Sequence, residues 1–276
     1  MQPLLAAAHQ RSEEAEQCGA LVPLHTQLLP LPATEPFVLR RLLSDTPKHL
    51  RSAGPKPNPF LPWDPRLEVD RPGPDHALIL NKFPVQRAHL LLISQSWQPQ
   101  AGWLRPSDWQ VLAAVEHQCP GLWFFNSCAA AGASQPHRHL QLLPRQADEP
   151  SCPLAAHFIA QLEGREQPWP WRYRLSRRQQ SGSDAAALEL EQLYLLHQRE
   201  LGLGDPQHQV QPSRPYNLLF DRHWFLTVER TQEHWAGFSV NALGYAGCLL
   251  ITPESDQDWL GRHGPLALLK AVAAPI

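Results

Sequence analysis

Long apolar runs are missing from this 276-residue sequence. No stretch approaches the roughly eighteen apolar residues of a membrane-crossing helix, so none is expected. Net charge is nearly absent as well. The 24 basic and 26 acidic residues leave a formal charge of -2, which argues against bulk electrostatic binding to nucleic acid or anionic membranes. Lysine is scarce: Lys48, Lys56, Lys82 and Lys270 are the only ones among the basic residues. No Cys-x-x-Cys pair occurs. The cysteines, Cys18, Cys119, Cys128, Cys152 and Cys248, are odd in number and scattered, which excludes a disulfide framework or zinc knuckle and fits reduced thiols in the cytoplasm. The start of the chain lacks a basic leader and turns acidic at Glu13, Glu14 and Glu16, so no secretory signal is expected. What is present is ample apolar material, 43% of residues, enough for one large globular domain or two that share an interface.

Proline crowds the segment from Thr46 to Asp75. Within it, Lys56-Pro57-Asn58-Pro59-Phe60-Leu61-Pro62-Trp63 reads as an extended loop packed on a surface, since linkers seldom carry large aromatics. The apolar runs His76 to Asn81 and His89 to Ser94 predict an antiparallel strand pair, with a turn beginning at Lys82. A helix opens at Pro106, with Ser107 as its expected cap, and Val111, Leu112, Val115 and Cys119 keep helical spacing up to Pro120-Gly121. Leu122 to Asn126 reads as a strand, and a loop from Ser127 to Pro136 delivers another at His137 to Leu143. The basic, polar segment Arg172 to Gly182 reads as an exposed connection. Asp184 to Leu201 predicts a helix closed by Gly202. Strands follow at Tyr216 to Phe220, His223 to Val228 and Ala246 to Ile251, with Asp221-Arg222 as a hairpin turn, and a short helix at Leu266 to Ala273. Antiparallel strands with interspersed helices give an α+β class, an antiparallel sheet with flanking helices.

The chemistry concentrates in Gly132-Ala133-Ser134-Gln135-Pro136-His137-Arg138-His139-Leu140-Gln141. On an extended chain, side chains alternate, so His137, His139 and Gln141 share one face while Arg138, Leu140 and Leu142 share the other. Three readings compete. Two ordinary strand histidines are one. A metal site is the second, but catalytic zinc needs a third ligand and Gln141 is a poor one. The third is a nucleophilic histidine attacking phosphorus. There His139 presents one ring nitrogen, His137 supports it, and Gln141 donates a neutral hydrogen bond. Glutamine is no general acid, so the leaving group must depart without a proton, as a polyphosphate does. Gly132, Ala133 and Ser134 lack bulk and let backbone amides point at phosphate oxygens.

This decapeptide resembles the signature of the histidine-triad superfamily in its transferase branch, where glutamine replaces the third histidine. Within that branch it is similar to the diadenosine tetraphosphate phosphorylases, or ATP adenylyltransferases. Further blocks resemble the same family: Lys56 to Phe60, Leu80-Asn81-Lys82-Phe83, Asn126-Ser127, Tyr216 to Leu219, and Ser239 to Gly247. The likeness implies a histidine-triad, uridylyltransferase-like fold, with an N-terminal domain over 1–165 carrying the motif and a C-terminal domain over 185–276. It implies phosphorolysis of diadenosine tetraphosphate to ATP and ADP through a nucleotidyl-histidine, with His139 as nucleophile beside His137 and Gln141. It implies substrate contacts from Lys56, Asn81, Lys82, Asn126, Gly132, Ala133, Ser134, Ser239 and Asn241.

Plainer roles stand beside these. Asn81 and Lys82 also fit an ordinary turn, and His76 and His89 read as structural. The arginines 172, 174, 177 and 178 read as a solvated loop with some attraction for a tetraphosphate. Trp63, Trp123 and Trp224 are candidates for stacking on a base. No protein motif demands a metal, although Mg2+ bound through the substrate phosphates is compatible with the pattern. Monomer and homodimer both stay open, as do phosphate and sulfate as acceptor. The rival functions are a hexose-1-phosphate uridylyltransferase-like enzyme and a catalytically silent nucleotide sensor.

Overall fold

The computed structural model describes residues 3–44, 58–146, 149–180 and 182–276. Its strands are β1 (Thr26–Leu29), β2 (Val38–Leu42), β3 (Glu68–Asp70), β4 (His76–Leu80), β5 (Leu90–Ser94), β6 (Gly121–Asn126), β7 (His139–Pro144), β8 (Tyr173–Arg177), β9 (Tyr216–Phe220), β10 (Trp224–Glu229), β11 (His234–Trp235), β12 (Phe238–Ser239) and β13 (Cys248–Ile251). Eight of them form one sheet in the order β3-β4-β5-β7-β6-β9-β10-β8. Every neighbouring pair in it is antiparallel. The class is α+β with an antiparallel sheet, as the pattern predicts.

The C-terminal half extends this sheet as well as packing on it. β6 pairs with β9, placing Trp123 opposite Phe220 and Asn126 opposite Asn217. A second link is the parallel pairing of β2 with β13 in a small separate sheet. Strands β4, β5, β6, β7, β9 and β10 are buried at every position. Both faces are covered, which is why these strands read as continuous apolar runs rather than alternating ones.

On one face, Trp123, Phe125, Leu140, Leu142, Leu218, Phe220 and Phe225 belong to a core shared with the helices Pro106–Gln118 and Ser183–Glu200. On the other, Leu122, Phe124, Leu143, Leu219, Leu226 and Val228 pack with Tyr245, Leu268, Leu269 and Val272 of the C-terminal helices. Full burial of each such side chain contributes about 1.5–3 kcal/mol.

Three expectations are corrected. The Pro106–Gln118 helix is capped by Asp108, whose Oδ2 accepts from the Arg105 backbone N–H at 2.7 Å, and not by Ser107. The carboxylate is better placed because it also accepts from Arg138 at 3.1 Å and meets His76 at 2.8 Å, tying the helix start to β4 and to the residue that precedes β7. Burial opposes ionisation of Asp108, but the His76 hydrogen bond and Arg138 charge hold its carboxyl below the usual range. The exposed connection expected from Arg172 contains, at Tyr173–Arg177, the edge strand β8, paired with β10. Its arginines are engaged: Arg172 with Glu229, Arg174 with Glu200, Arg177 with Glu163, and the buried Arg178 with Glu116 and Glu189. A tetraphosphate would have to displace those carboxylates. Finally, Trp123 and Trp224 are wholly buried, and Trp63 lies under the Arg71 guanidinium with Nε1 donating to Glu68. Trp123 and Trp224 are therefore core, not base-stacking surfaces. The helices Pro3–Gln17, Ala155–Leu162 and Gln257–His263 stand where the sequence pattern predicts none.

Candidate active site

The β6–β7 ladder stops at Phe124 opposite Gln141. Beyond it the strands part, and the side chain of Gln100 fills the gap. Its Oε1 accepts from His139 N–H at 2.8 Å, and its Nε2 donates to the carbonyls of Asn126 at 2.7 Å and His139 at 3.3 Å. One carboxamide thus satisfies ladder groups that would otherwise lie buried and unpaired, while keeping Asn126 and His139 apart.

His139 donates from Nδ1 to the carbonyl of His137 at 2.8 Å. This places the ring hydrogen on Nδ1 and leaves the Nε2 lone pair free. Among the described residues Nε2 has no hydrogen-bond partner. Burial pushes the imidazole down to about 4, so the ring is neutral near pH 7 and its nucleophilic form predominates.

His137 is held at both ring nitrogens. Phe60 N–H donates to Asn58 Oδ1, which turns the Asn58 NH2 toward His137 Nδ1 at 2.9 Å. The His137 Nε2–H then donates to Ser94 O at 2.8 Å. Phe60 packs on both histidine rings, with centroids 5.7 Å from His137 and 5.4 Å from His139. The His137 carbonyl is the group that meets His139, and the His137 ring is fixed at both nitrogens.

Gln141 lies opposite Leu91, and His139 opposite Ile93. Alternation then puts His89 on their face, where its Nε2 lies 3.0 Å from Gln141 Oε1. Burial lowers His89 to about 4 as well. Asn126 anchors the other flank. Its Oδ1 accepts from Asn217 Nδ2 at 2.8 Å and from Ala242 N–H at 2.9 Å, and Arg230 in turn donates to Asn217. The Asn126 NH2 and the Gln141 NH2 have no partner among the described residues, so both remain available as donors beside His139.

The remaining candidates are placed unevenly. Gly132 has φ +88°, and a Cβ there would lie 2.6 Å from Asn241 Cβ, so glycine is what lets the loop touch the Asn241 turn. The Gly132 and Ala133 amides donate within the loop, to Ala129 and Cys128. They do not form the expected phosphate cradle. Ser134 keeps an amide and hydroxyl without a partner among the described residues. Asn241 caps the short helix Ala242–Tyr245 through Leu243 N–H at 2.9 Å. Asn81 and Lys82 occupy the β4–β5 turn, with Asn81 Oδ1 accepting from Phe83 N–H and Lys82 exposed. Ser239 is exposed and donates to Glu233 at 2.6 Å, and no described contact joins it to the His139 cluster. Lys56 lies outside the described residues.

Asn58, Ser94, Gln100, Asn217 and Arg230 shape the site without a role in the sequence reading, and His89, which reads as structural there, contacts Gln141. Asn58 and Asn217 stand inside blocks that the resemblance covers. The others depend on long-range register, which leaves no local signal. Among the described residues no group of three or more His, Cys, Asp or Glu is arranged to hold a metal, and no helix is long and apolar enough to cross a membrane.

Comparison with known proteins matches both segments. Residues 1–160 fit the model of the Ap4A phosphorylase N-terminal domain, and residues 150–275 that of the ATP adenylyltransferase C-terminal domain. Protein APA1 of Saccharomyces cerevisiae is 27% identical over 198 residues, covering 63% of this chain and 61% of that protein. Diadenosine 5',5'''-P1,P4-tetraphosphate phosphorylase 2 of the same yeast is 24% identical over 202 residues, covering 64% of this chain and 62% of that one. The matched region thus spans less than two thirds of either relative's length. Crystal structures of yeast Ap4A phosphorylase Apa2 share the fold. One has a TM-score of 0.72 at 21% identity, covering 100% of this chain and 95% of that one; the AMP complex has 0.74 at 22%, covering 100% and 97%. With both domain models matched in order along its length, the chain belongs to the Ap4A phosphorylase (ATP adenylyltransferase) family.

Proposed function

We infer that this chain is an ATP adenylyltransferase that phosphorolyses diadenosine tetraphosphate with inorganic phosphate to ATP and ADP. The observation that carries the reading is the His139 ring, neutral and with its hydrogen held on Nδ1 by the His137 carbonyl. Nε2 attacks the α-phosphorus. As the N–P bond forms, the bond from that phosphorus to the bridging oxygen breaks and ATP departs. Phosphate then attacks the same phosphorus, the N–P bond breaks, and ADP leaves with His139 neutral again. The departing polyphosphate needs no proton, which suits a glutamine at position 141. Gln141 and Asn126 donate to non-bridging oxygens, Ser134 and Asn241 line the nucleotide, and Lys56, Lys82 and Asn81 serve the polyphosphate end. Mg2+, where it takes part, enters on the substrate's phosphates.

The names of the relatives support the substrate class, since yeast Apa2 was crystallised with Ap4A and with AMP. The uridylyltransferase-like reading is not favoured, because the two domain models cover both halves of the chain. An Nε2 left open beside two free amide donors likewise favours turnover over silent binding. The free thiols support a cytoplasmic setting, with the enzyme as monomer or homodimer and its domains at 1–165 and 185–276.

The test is incubation with diadenosine tetraphosphate, with and without phosphate, followed by product separation. ATP and ADP formed only with phosphate support the reading. AMP and ATP would mean hydrolysis, and no product would mean a sensor. His139→Ala should abolish both turnover and an acid-labile nucleotidyl adduct.

A further inference from the structure

His89 takes no part in the chemistry above, yet its hydrogen bonds run in one direction only. A backbone N–H sets that direction. Phe83 N–H donates to Asn81 Oδ1 at 3.0 Å, so the NH2 end of Asn81 faces His89 Nδ1 at 3.1 Å. An amide NH2 only donates, so Nδ1 accepts and the ring hydrogen sits on Nε2. That N–H donates to Gln141 Oε1 at 3.0 Å. The Gln141 carboxamide is thereby committed: its oxygen faces His89 and its NH2 is left for another partner. The ring itself is buried and packs against Phe124, with centroids 5.8 Å apart.

We propose that His89 is a positioning residue that locks the Gln141 carboxamide with its NH2 presented to the substrate phosphate. Because the lock begins at Asn81, it also ties Gln141 to the β4–β5 turn. The inference rests on the reading of Gln141 as a phosphate donor. Without His89, the amide is free to rotate and turn its oxygen toward the anion, which is repulsive. A free amide thus loses donor stabilisation where charge develops, a loss on the order of 10–100-fold in kcat.

Two measurements test it. In the wild-type protein, two-bond 1H–15N correlation of the His89 ring, assigned by its loss in His89→Gln, is expected to show the hydrogen on Nε2. A hydrogen on Nδ1 overturns the proposal, whether or not the protein turns over diadenosine tetraphosphate, so the two readings fail separately. The second measurement is kinetic. His89→Phe keeps ring volume but removes both hydrogen bonds, and should lower kcat more than it raises KM. His89→Gln, whose amide accepts from Asn81 and donates to Gln141, should recover most of the rate. In a Gln141→Ala background, His89→Phe should cost nothing further. Additive losses, or equal losses from His89→Phe and His89→Gln, would mean a merely structural role and overturn the proposal.

Discussion

Lowering the pH should destabilise this fold well before its carboxylates are protonated. Four buried histidines are responsible: burial lowers His137, and it lowers three others far. Burial holds His89 and His139 down to about 4 and His197 to about 3. In the unfolded chain each returns to about 6.5. The unfolded state therefore binds protons first as pH falls, and stability that is complete above about 6.5 is lost progressively toward the folded values. At pH 5.5, one unit below the unfolded value, each of the three lowered far has cost about 1.4 kcal/mol, or about 4 kcal/mol for the three. That is a large share of the roughly 5–15 kcal/mol by which domains are stable. Asp64, Glu68 and Asp108 are held below the usual carboxylate range, so their losses fall at lower pH. Urea unfolding free energies between about pH 7 and 5.5 measure the slope. His197 lies behind the sheet, bonded to Thr227 and Ser176, so His197→Gln should reduce that slope by about a quarter to a third. A change of less than about 1 kcal/mol across this interval would refute the reasoning.

Two further outcomes are expected. Gly132→Ala places a side chain at φ +88° and against Asn241, for about 1–3 kcal/mol of strain. It should lower the melting temperature and raise the KM for dinucleotide by displacing the Asn241 turn. Gln100→Leu strands His139 N–H and the Asn126 carbonyl, at about 2–6 kcal/mol for two buried groups. Denaturant midpoints should fall, and kcat should fall with them because the His139 backbone loses its anchor; a full rate with lowered stability would separate Gln100 from the site.

Much of the scaffold was legible because its signals are local. The runs at 76–81, 89–94 and 216–220 are strands within a residue or so, and Gly202 ends its helix at φ +67°. Burial on both faces makes such runs unmistakably apolar. Where charge met burial the reading failed. Arg178 looks solvated in sequence, but Glu116 and Glu189 come to it from two helices, which lets it be buried. Asp108 displaced Ser107 as the cap for a similar reason: His76 and Arg138 converge on it from segments distant in sequence.

The histidine motif shows the same division. The types of His137, His139 and Gln141 and the face they share follow from local order, because alternation along an extended chain is a property of neighbouring residues. The glutamine at position 141 likewise shows, with no fold in hand, that this position supplies no proton. Which His139 nitrogen is free, which residue meets the Gln141 oxygen, and that Gln100 wedges β6 from β7 emerge only once the chain is folded. Those are consequences of register and loop closure between segments far apart in the chain, and a hydrogen bond across such a distance leaves no trace in local residue spacing.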